Sequence, residues 1–101
     1  MYLLIDDVKN FHADIIARTD KAGKGVLKRL SNQITCLGID FDLGRESKEN
    51  GLDILKWALA NNYLPKKVQV VSLNPPGRKA MVTFLLDNGY QTKDNTNFVR
   101  R

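Results

Sequence analysis

Apolar and polar positions alternate in blocks along the chain, and these blocks predict strands and helices in turn. Residues 1–5, 34–39 and 68–71 are mostly apolar, without a polar residue at every second position. Such runs are typical of strands that are buried on both faces of a parallel sheet. Residues 13–18 include Ile15, Ile16 and Ala17 and predict a further strand, the second in chain order.

Three other segments have apolar residues three and four positions apart, which predicts helices. We expect the first after Asp20 as N-cap, the second at residues 51–63, and the third after Asn74, with Pro75 and Pro76 in its first turn. A short edge strand is expected around residues 97–99. Because strands alternate with helices, the sequence predicts one α/β domain over residues 1–101, flavodoxin-like, with a parallel sheet of four to five strands in the order 2-1-3-4-5.

Carboxylates follow two of the predicted strands. Asp6 and Asp7 come directly after the first strand, and Asp40 and Asp42 come after the third. Ligands of such sheets bind beyond the carboxyl ends of the strands, where four like charges repel one another unless a cation binds. Oxygen ligands without histidine or cysteine favour Mg²⁺, with Mn²⁺ or Ca²⁺ as alternatives. The alternative is that these side chains are solvated strand ends.

A second polar motif, at residues 72–79, follows the fourth predicted strand. Ser72 offers a hydroxyl, Asn74 an amide, and Arg78 and Lys79 two cations at the beginning of the third helix. Helix N-termini attract anions, and arginine adds bidentate recognition of phosphate. The sequence therefore predicts a phosphate site here. A capped helix with an exposed basic first turn would explain the same residues.

Composition limits the alternatives. The chain has 16 Lys and Arg against 11 Asp and Glu, a net charge of +5, which favours anionic partners. The single histidine, His12, and the single cysteine, Cys36, exclude zinc sites of the Cys/His type and catalytic groups that need a second histidine. We expect Cys36 to be a buried thiol in a reducing compartment. No segment is typical of a signal peptide or membrane span, so we expect a cytoplasmic protein without a membrane partner.

Several motifs together resemble those of the cyclic-phosphate processing receiver-like domains, small relatives of response-regulator receivers. They are Met-Tyr-Leu-Leu-Ile-Asp-Asp at 1–7, Arg-Thr at 18–19, Gly-Ile-Asp-Phe-Asp-Leu-Gly at 38–44, Gly-Leu-Asp-Ile-Leu-Lys-Trp at 51–57 and Ser-Leu-Asn-Pro-Pro-Gly-Arg-Lys-Ala-Met at 72–81. The resemblance implies that Asp6 and Asp7 hold a metal and that Asp40 stands where receivers accept a phosphoryl group, with Asp42 beside it. It also implies that Ser72, Asn74, Arg78 and Arg18 lie on the phosphate side.

The resemblance leads to three functional hypotheses. The first is a metal-dependent phosphoesterase or binder for a nucleotide or RNA end with a cyclic phosphate, in which Asp40, Ser72 and Arg78 act on the phosphate, while Arg18 and Lys79 stabilise negative charge. The family often has histidine at the positions of Phe41 and Val71, so the resemblance implies the site more directly than turnover.

The second hypothesis is a stand-alone receiver that is phosphorylated on Asp40. The third is a degenerate interaction module without turnover, of the kind a bacterial or phage protein would contain. For all three we expect a monomer or a weak homo-oligomer.

Overall fold

The computed structural model describes all 101 residues as a six-stranded sheet with three helices. The elements are β1 (Tyr2–Ile5), β2 (Ile15–Ala17), α1 (Asp20–Leu30), β3 (Cys36–Ile39), α2 (Gly51–Ala60), β4 (Lys67–Val70), α3 (Pro75–Asp87), β5 (Tyr90–Thr92) and β6 (Asn97–Arg100). None of the helices has the length and apolar character that a membrane span requires.

The sheet order is β2-β1-β3-β4-β6-β5. The first four strands in this order are parallel, which confirms the predicted receiver-like α/β fold and the order 2-1-3-4. The four parallel strands agree with the predicted four to five, and β6, the strand expected around residues 97–99, lies next to β4 as predicted. It runs antiparallel to β4, however, and β5, antiparallel to β6, is an additional sixth strand. Asp94 Oδ1 accepts the N–H groups of Thr96 and Asn97, and this turn reverses the chain between β5 and β6.

The apolar runs form the core as their pattern predicts. Leu3 and Ile5 of β1 and Leu37 and Ile39 of β3 are completely buried. The helices add Leu27, Ile54, Leu55, Ala58, Met81 and Leu85 to the same cluster. Position 23 of α1 is a glycine because a Cβ there would clash with the side chain of Ile5. The helix therefore gives up some intrinsic stability in order to pack closely on β1.

The helix N-termini match the sequence signals with one correction. Thr19, not Asp20, caps α1, because the Thr19 side chain accepts the N–H of Ala22 at 3.1 Å. Asp20 is instead the first helical residue. Asn74 caps α3 through the N–H of Gly77, as predicted.

The connection between β1 and β2 contains no helix. These strands are parallel, so residues 6–14 return along the sheet as a loop. Phe11 and His12 have φ angles of 42° and 52°, and the N–H of Ala13 donates to the carbonyl of Asn10 at 3.0 Å to close a turn. This loop begins at the carboxyl end of β1 and carries Lys9 to the acidic edge of the sheet.

Candidate metal and phosphate site

Three of the predicted acidic residues meet at the carboxyl edge of the sheet. Ile5 and Ile39 are paired in register, so the residues that follow them, Asp6 and Asp40, are neighbours. One carboxylate oxygen from each of Asp6, Asp7 and Asp40 lies within 4.8 Å of the others. Asp6 is completely buried and Asp40 is buried, whereas Asp7 is exposed. The structure thus brings together three carboxylates at a spacing that suits one ion.

The two buried carboxylates divide their oxygens between different partners. Asp6 Oδ1 accepts the N–H groups of Val8 and Lys9 at 2.9 and 3.0 Å, and Asp40 Oδ1 accepts the N–H of Phe41 at 2.7 Å. The Oδ2 atoms of Asp6 and Asp40 face the Lys9 ammonium at 3.4 and 3.6 Å. Each carboxylate is therefore oriented through one oxygen and leaves the other for a cation.

Burial and like charge raise the pKa of Asp40. Desolvation contributes most to this rise and the nearby Asp6 carboxylate adds to it, while Lys9, a hydrogen bond from Ser72 and the N–H of Phe41 act in the opposite direction. Three carboxylates outnumber the one ammonium in the pocket, so negative charge remains uncompensated. An oxygen-only set of partly desolvated carboxylates fits a hard divalent cation such as Mg²⁺ or Mn²⁺.

Lys9 is the site residue that sequence reasoning missed. Its ammonium also donates to the carbonyl of Val71 at 3.2 Å, so it joins the ends of β1, β3 and β4. One feature of the sequence could have indicated it: Lys9 comes three residues after Asp6. In the structure the N–H groups of this loop donate to the Asp6 carboxylate. A lysine placed in this way has to lie near the acidic pair.

Asp42 lies outside the group formed by Asp6, Asp7 and Asp40. It is exposed, and its Oδ2 accepts the side-chain N–H of Asn74 at 2.9 Å. The structure thereby connects Asp42 to the predicted phosphate motif. Its predicted role as a metal ligand stays a prediction.

Ser72 and Asn74 are placed beside the acidic pocket. Ser72 is buried beside Asp40, whose pKa its hydroxyl lowers, and its oxygen accepts the N–H of Asn74 at 3.1 Å. Asn74 in turn uses its side-chain oxygen to cap α3. These contacts place the beginning of α3 next to the end of β3. The predicted phosphate motif therefore lies beside the predicted metal ligands.

The two arginines predicted to contact phosphate are engaged within the protein. The Arg78 guanidinium donates to the carbonyls of Val70, Ser72 and Asn95 and to the hydroxyl of Thr96. It thereby fastens the turn between β5 and β6 to the end of β4.

Arg18 donates to the carbonyls of Asp6 and Lys9 and to the side-chain oxygen of Asn10. It holds the loop after β1. Lys79, on the surface of α3, is exposed and forms no ion pair.

Phe41 and Val71 take the positions at which the resemblance led us to look for histidine. The ring of Phe41 packs against Gly77 in the first turn of α3, so closely that a Cβ at Gly77 would clash with it. Val71 contributes its carbonyl to Lys9. These two side chains supply packing at the site and no proton-transfer group.

A groove of about 440 Å³ opens next to the acidic pocket. It is lined by residues 41–45 and 47–50, including Arg45 and Lys48. Gly44 connects the groove with the pocket, because a Cβ at this glycine would lie 3.0 Å from Asp7 Oδ2. The remainder of a ligand whose phosphate lies at the pocket would have room here.

Fold and site together define a receiver-like α/β domain with an acidic pocket at the carboxyl edge of its parallel strands. A family model described as "Cyclic-phosphate processing Receiver domain" matches residues 1–87. The chain belongs to this family. No curated protein and no solved structure matches it significantly. The matched region ends with α3, so the β5–β6 hairpin that Arg78 fastens lies beyond it.

Proposed function

We propose that this protein is a metal-dependent phosphoesterase or binder that holds a cyclic phosphate of a nucleotide or RNA end. The convergence of Asp6, Asp7 and Asp40 within 4.8 Å is the observation that carries the proposal. Membership of a cyclic-phosphate processing family supports the choice of ligand. A divalent ion at such a site polarises a phosphoryl oxygen and lowers the pKa of a bound water.

The chain's own residues have distinct roles in this proposal. Asp6, Asp7 and Asp40 would hold the ion, the first and last from buried positions and Asp7 from an exposed one. Ser72 favours the charged form of Asp40, and Asn74 caps α3 through the N–H of Gly77. The first two residues of this helix, Pro75 and Pro76, have no N–H, so the side chains rather than the helix N-terminus have to bind the anion. Because Phe41 and Val71 offer no proton-transfer group, hydrolysis would depend on the ion to activate water.

Metal binding is tested by thermal unfolding with Mg²⁺ or Mn²⁺. We expect the metal to stabilise the protein by about 2.7 kcal/mol at a hundredfold excess over Kd. Asp7→Asn should abolish the rise. Asp87→Asn, which changes an exposed carboxylate at the end of α3, is the matched control and should keep it. An unchanged melting curve of the wild type from zero to tens of millimolar Mg²⁺, the order of magnitude of weak cation sites, contradicts the proposal.

Ligand binding is tested by calorimetric titration of a panel of nucleoside cyclic phosphates into the metal-loaded protein. Product analysis of each mixture separates binding from hydrolysis. Binding that requires metal supports the proposal, and opening of the ring to a phosphomonoester supports the phosphoesterase form. The absence of binding to every member of the panel contradicts it.

Phosphorylation of Asp40 is the second candidate, favoured by the position of its Oδ2, which accepts no backbone N–H and faces the Lys9 ammonium at 3.6 Å. Incubation with acetyl phosphate and Mg²⁺ would then add one phosphoryl group to the mass of the protein. The addition should disappear in Asp40→Asn. A mass that stays unchanged in the wild type excludes this candidate.

A further inference from the structure

A phosphoryl group above the acidic pocket needs a cation with hydrogens that are free to reach it. The Arg78 guanidinium is occupied by four acceptors of the protein, and that of Arg18 by three. Lys79 is exposed on α3 and contacts neither buried carboxylate. Of the basic side chains near this edge, only that of Lys9 reaches Asp6 and Asp40.

The Lys9 ammonium is held loosely. It lies 3.4 Å from Asp6 Oδ2, 3.6 Å from Asp40 Oδ2 and 3.2 Å from the Val71 carbonyl oxygen. Charge-assisted N–H···O hydrogen bonds are ordinarily about 2.7–2.9 Å long, so none of the three contacts is a tight one. The side chain also keeps 25% of its exposure to solvent. The ammonium can therefore turn toward a ligand without breaking a short hydrogen bond.

The main chain of Lys9, by contrast, is fixed from both sides. Its N–H donates to Asp6 Oδ1 at 3.0 Å, and its carbonyl accepts from Arg18 at 2.7 Å. A fixed backbone with a loosely held ammonium keeps the positive charge at the mouth of the pocket at little entropic cost. This is the preorganisation that a ligand-binding cation needs.

We infer that Lys9, rather than Arg78, is the cation that contacts the phosphoryl oxygens of the ligand. The inference rests on the proposed function. A divalent ion held by Asp6, Asp7 and Asp40 would compete with Lys9 for these carboxylates, and the two cations would repel each other. The Val71 carbonyl keeps the ammonium at the edge of the pocket, where phosphoryl oxygens replace the lost carboxylate partners.

The experiment separates metal binding from phosphate binding in one variant. Mg²⁺ alone, and then cytidine 2′,3′-cyclic phosphate at saturating Mg²⁺, are titrated calorimetrically into wild type and Lys9→Met. We expect Lys9→Met to bind Mg²⁺ at least as tightly as the wild type, because a competing cation is gone. It should bind the cyclic phosphate about ten- to a hundredfold more weakly, the effect of one lost charge-assisted contact.

Lys28→Met is the matched control, since it removes the same charge from an exposed position in the last turn of α1 and should change either Kd less than about twofold. Lys9→Arg keeps the charge and should bind the cyclic phosphate more tightly than Lys9→Met. Lys9→Gln removes the charge but keeps a polar side chain, and it takes the place of Lys9→Met should that variant fail to fold.

The outcomes distinguish the inference from the function on which it rests. Unchanged cyclic-phosphate binding in a folded Lys9→Met or Lys9→Gln overturns the role of Lys9 and leaves the proposed function standing. Weaker Mg²⁺ binding together with weaker phosphate binding also overturns it, because Lys9 would then serve the metal pocket. A wild type that binds Mg²⁺ but no cyclic phosphate overturns both.

Discussion

Two buried carboxylates, Asp20 and Asp40, are exposed to nearly the same extent, 7% and 8%, yet their pKa values shift in opposite directions. Burial by itself would raise the pKa of Asp20. The N–H groups of Glu49, Lys21 and Lys48 and the hydroxyl of Ser47 outweigh this effect and lower it. Asp40 has one backbone donor, from Phe41, and its pKa is raised.

The difference teaches that the partners of a buried carboxylate, rather than its burial, decide the direction in which its pKa shifts. Both oxygens of Asp20 accept backbone N–H groups, at 2.7 Å from Lys21 and at 3.0 Å from each of Lys48 and Glu49. Asp20 thus ties the loop before α2 to the beginning of α1. Asp40 has a single backbone donor, its Oδ2 faces the loosely held Lys9 ammonium at 3.6 Å, and it lies next to Asp6. A bound cation would supply a further partner for Asp40, whereas both oxygens of Asp20 already have partners within the protein.

Removal of the Asp20 carboxylate should have the largest effect on stability. Asp20→Ala leaves three N–H groups without their charged acceptor and releases the loop, so we expect a loss of about 3 kcal/mol in the free energy of unfolding. Urea denaturation of the metal-free protein measures it. Asp87→Ala is the control and should change stability by less than about 0.5 kcal/mol. Equal losses for the two variants would mean that the hydrogen bonds of Asp20 add nothing to the fold.

Arg78→Ala should have the next largest effect, and again on the fold. The sequence predicted that Arg78 contacts phosphate, but its guanidinium is occupied by four acceptors, which lie at the end of β4, just after it and in the β5–β6 turn. We expect unfolding to become easier by about 2 kcal/mol. Urea denaturation and cyclic-phosphate titration of the same variant decide between the two roles, with Lys28→Ala, at an exposed position of α1, as control. Intact stability with weakened binding would restore the role that the sequence suggested.

The parts of the fold that contain apolar runs or regularly spaced apolar residues were predictable from the sequence. Buried strands at the sites of β1, β3 and β4 and helices at α1, α2 and α3 follow from hydrophobic spacing and from caps such as Asn74. The β5–β6 hairpin was not predicted as such. Its strands are short and polar, and the hydrogen bonds of Asp94 and Arg78 that define it join residues whose proximity only the folded chain creates.

The candidate site was predictable where the backbone alone determines position. Asp6 and Asp40 follow paired strands, so the sheet register brings them together without any side-chain information. The arginines differ, since a long side chain reaches acceptors in several directions and the sequence does not show which carbonyls are free. That is why Arg78 looked like a phosphate ligand and Lys9 was overlooked.

The pH dependence of stability has the smallest expected effect, but it tests the difference between Asp20 and Asp40 most directly. The raised pKa of Asp40, which faces Asp6, Asp7, Lys9 and the Ser72 hydroxyl, means that the folded protein binds its proton more tightly than the unfolded chain. This contribution is fully present below the unfolded pKa, about 4, and is lost as the pH rises through the folded value. The lowered pKa of Asp20 gives the opposite: a contribution present above about pH 4 and lost as the pH falls through its folded value.

Asp40→Asn in the presence of a chelator should therefore become more stable relative to the wild type as the pH rises from about 3.5 to 7, by on the order of 1 kcal/mol. Asp20→Asn should become less stable relative to the wild type over the same range. Urea denaturation at five or six pH values measures both differences. If the stability difference from the wild type changes with pH in the same direction for both variants, the two carboxylates do not differ in the way that their hydrogen-bond donors indicate.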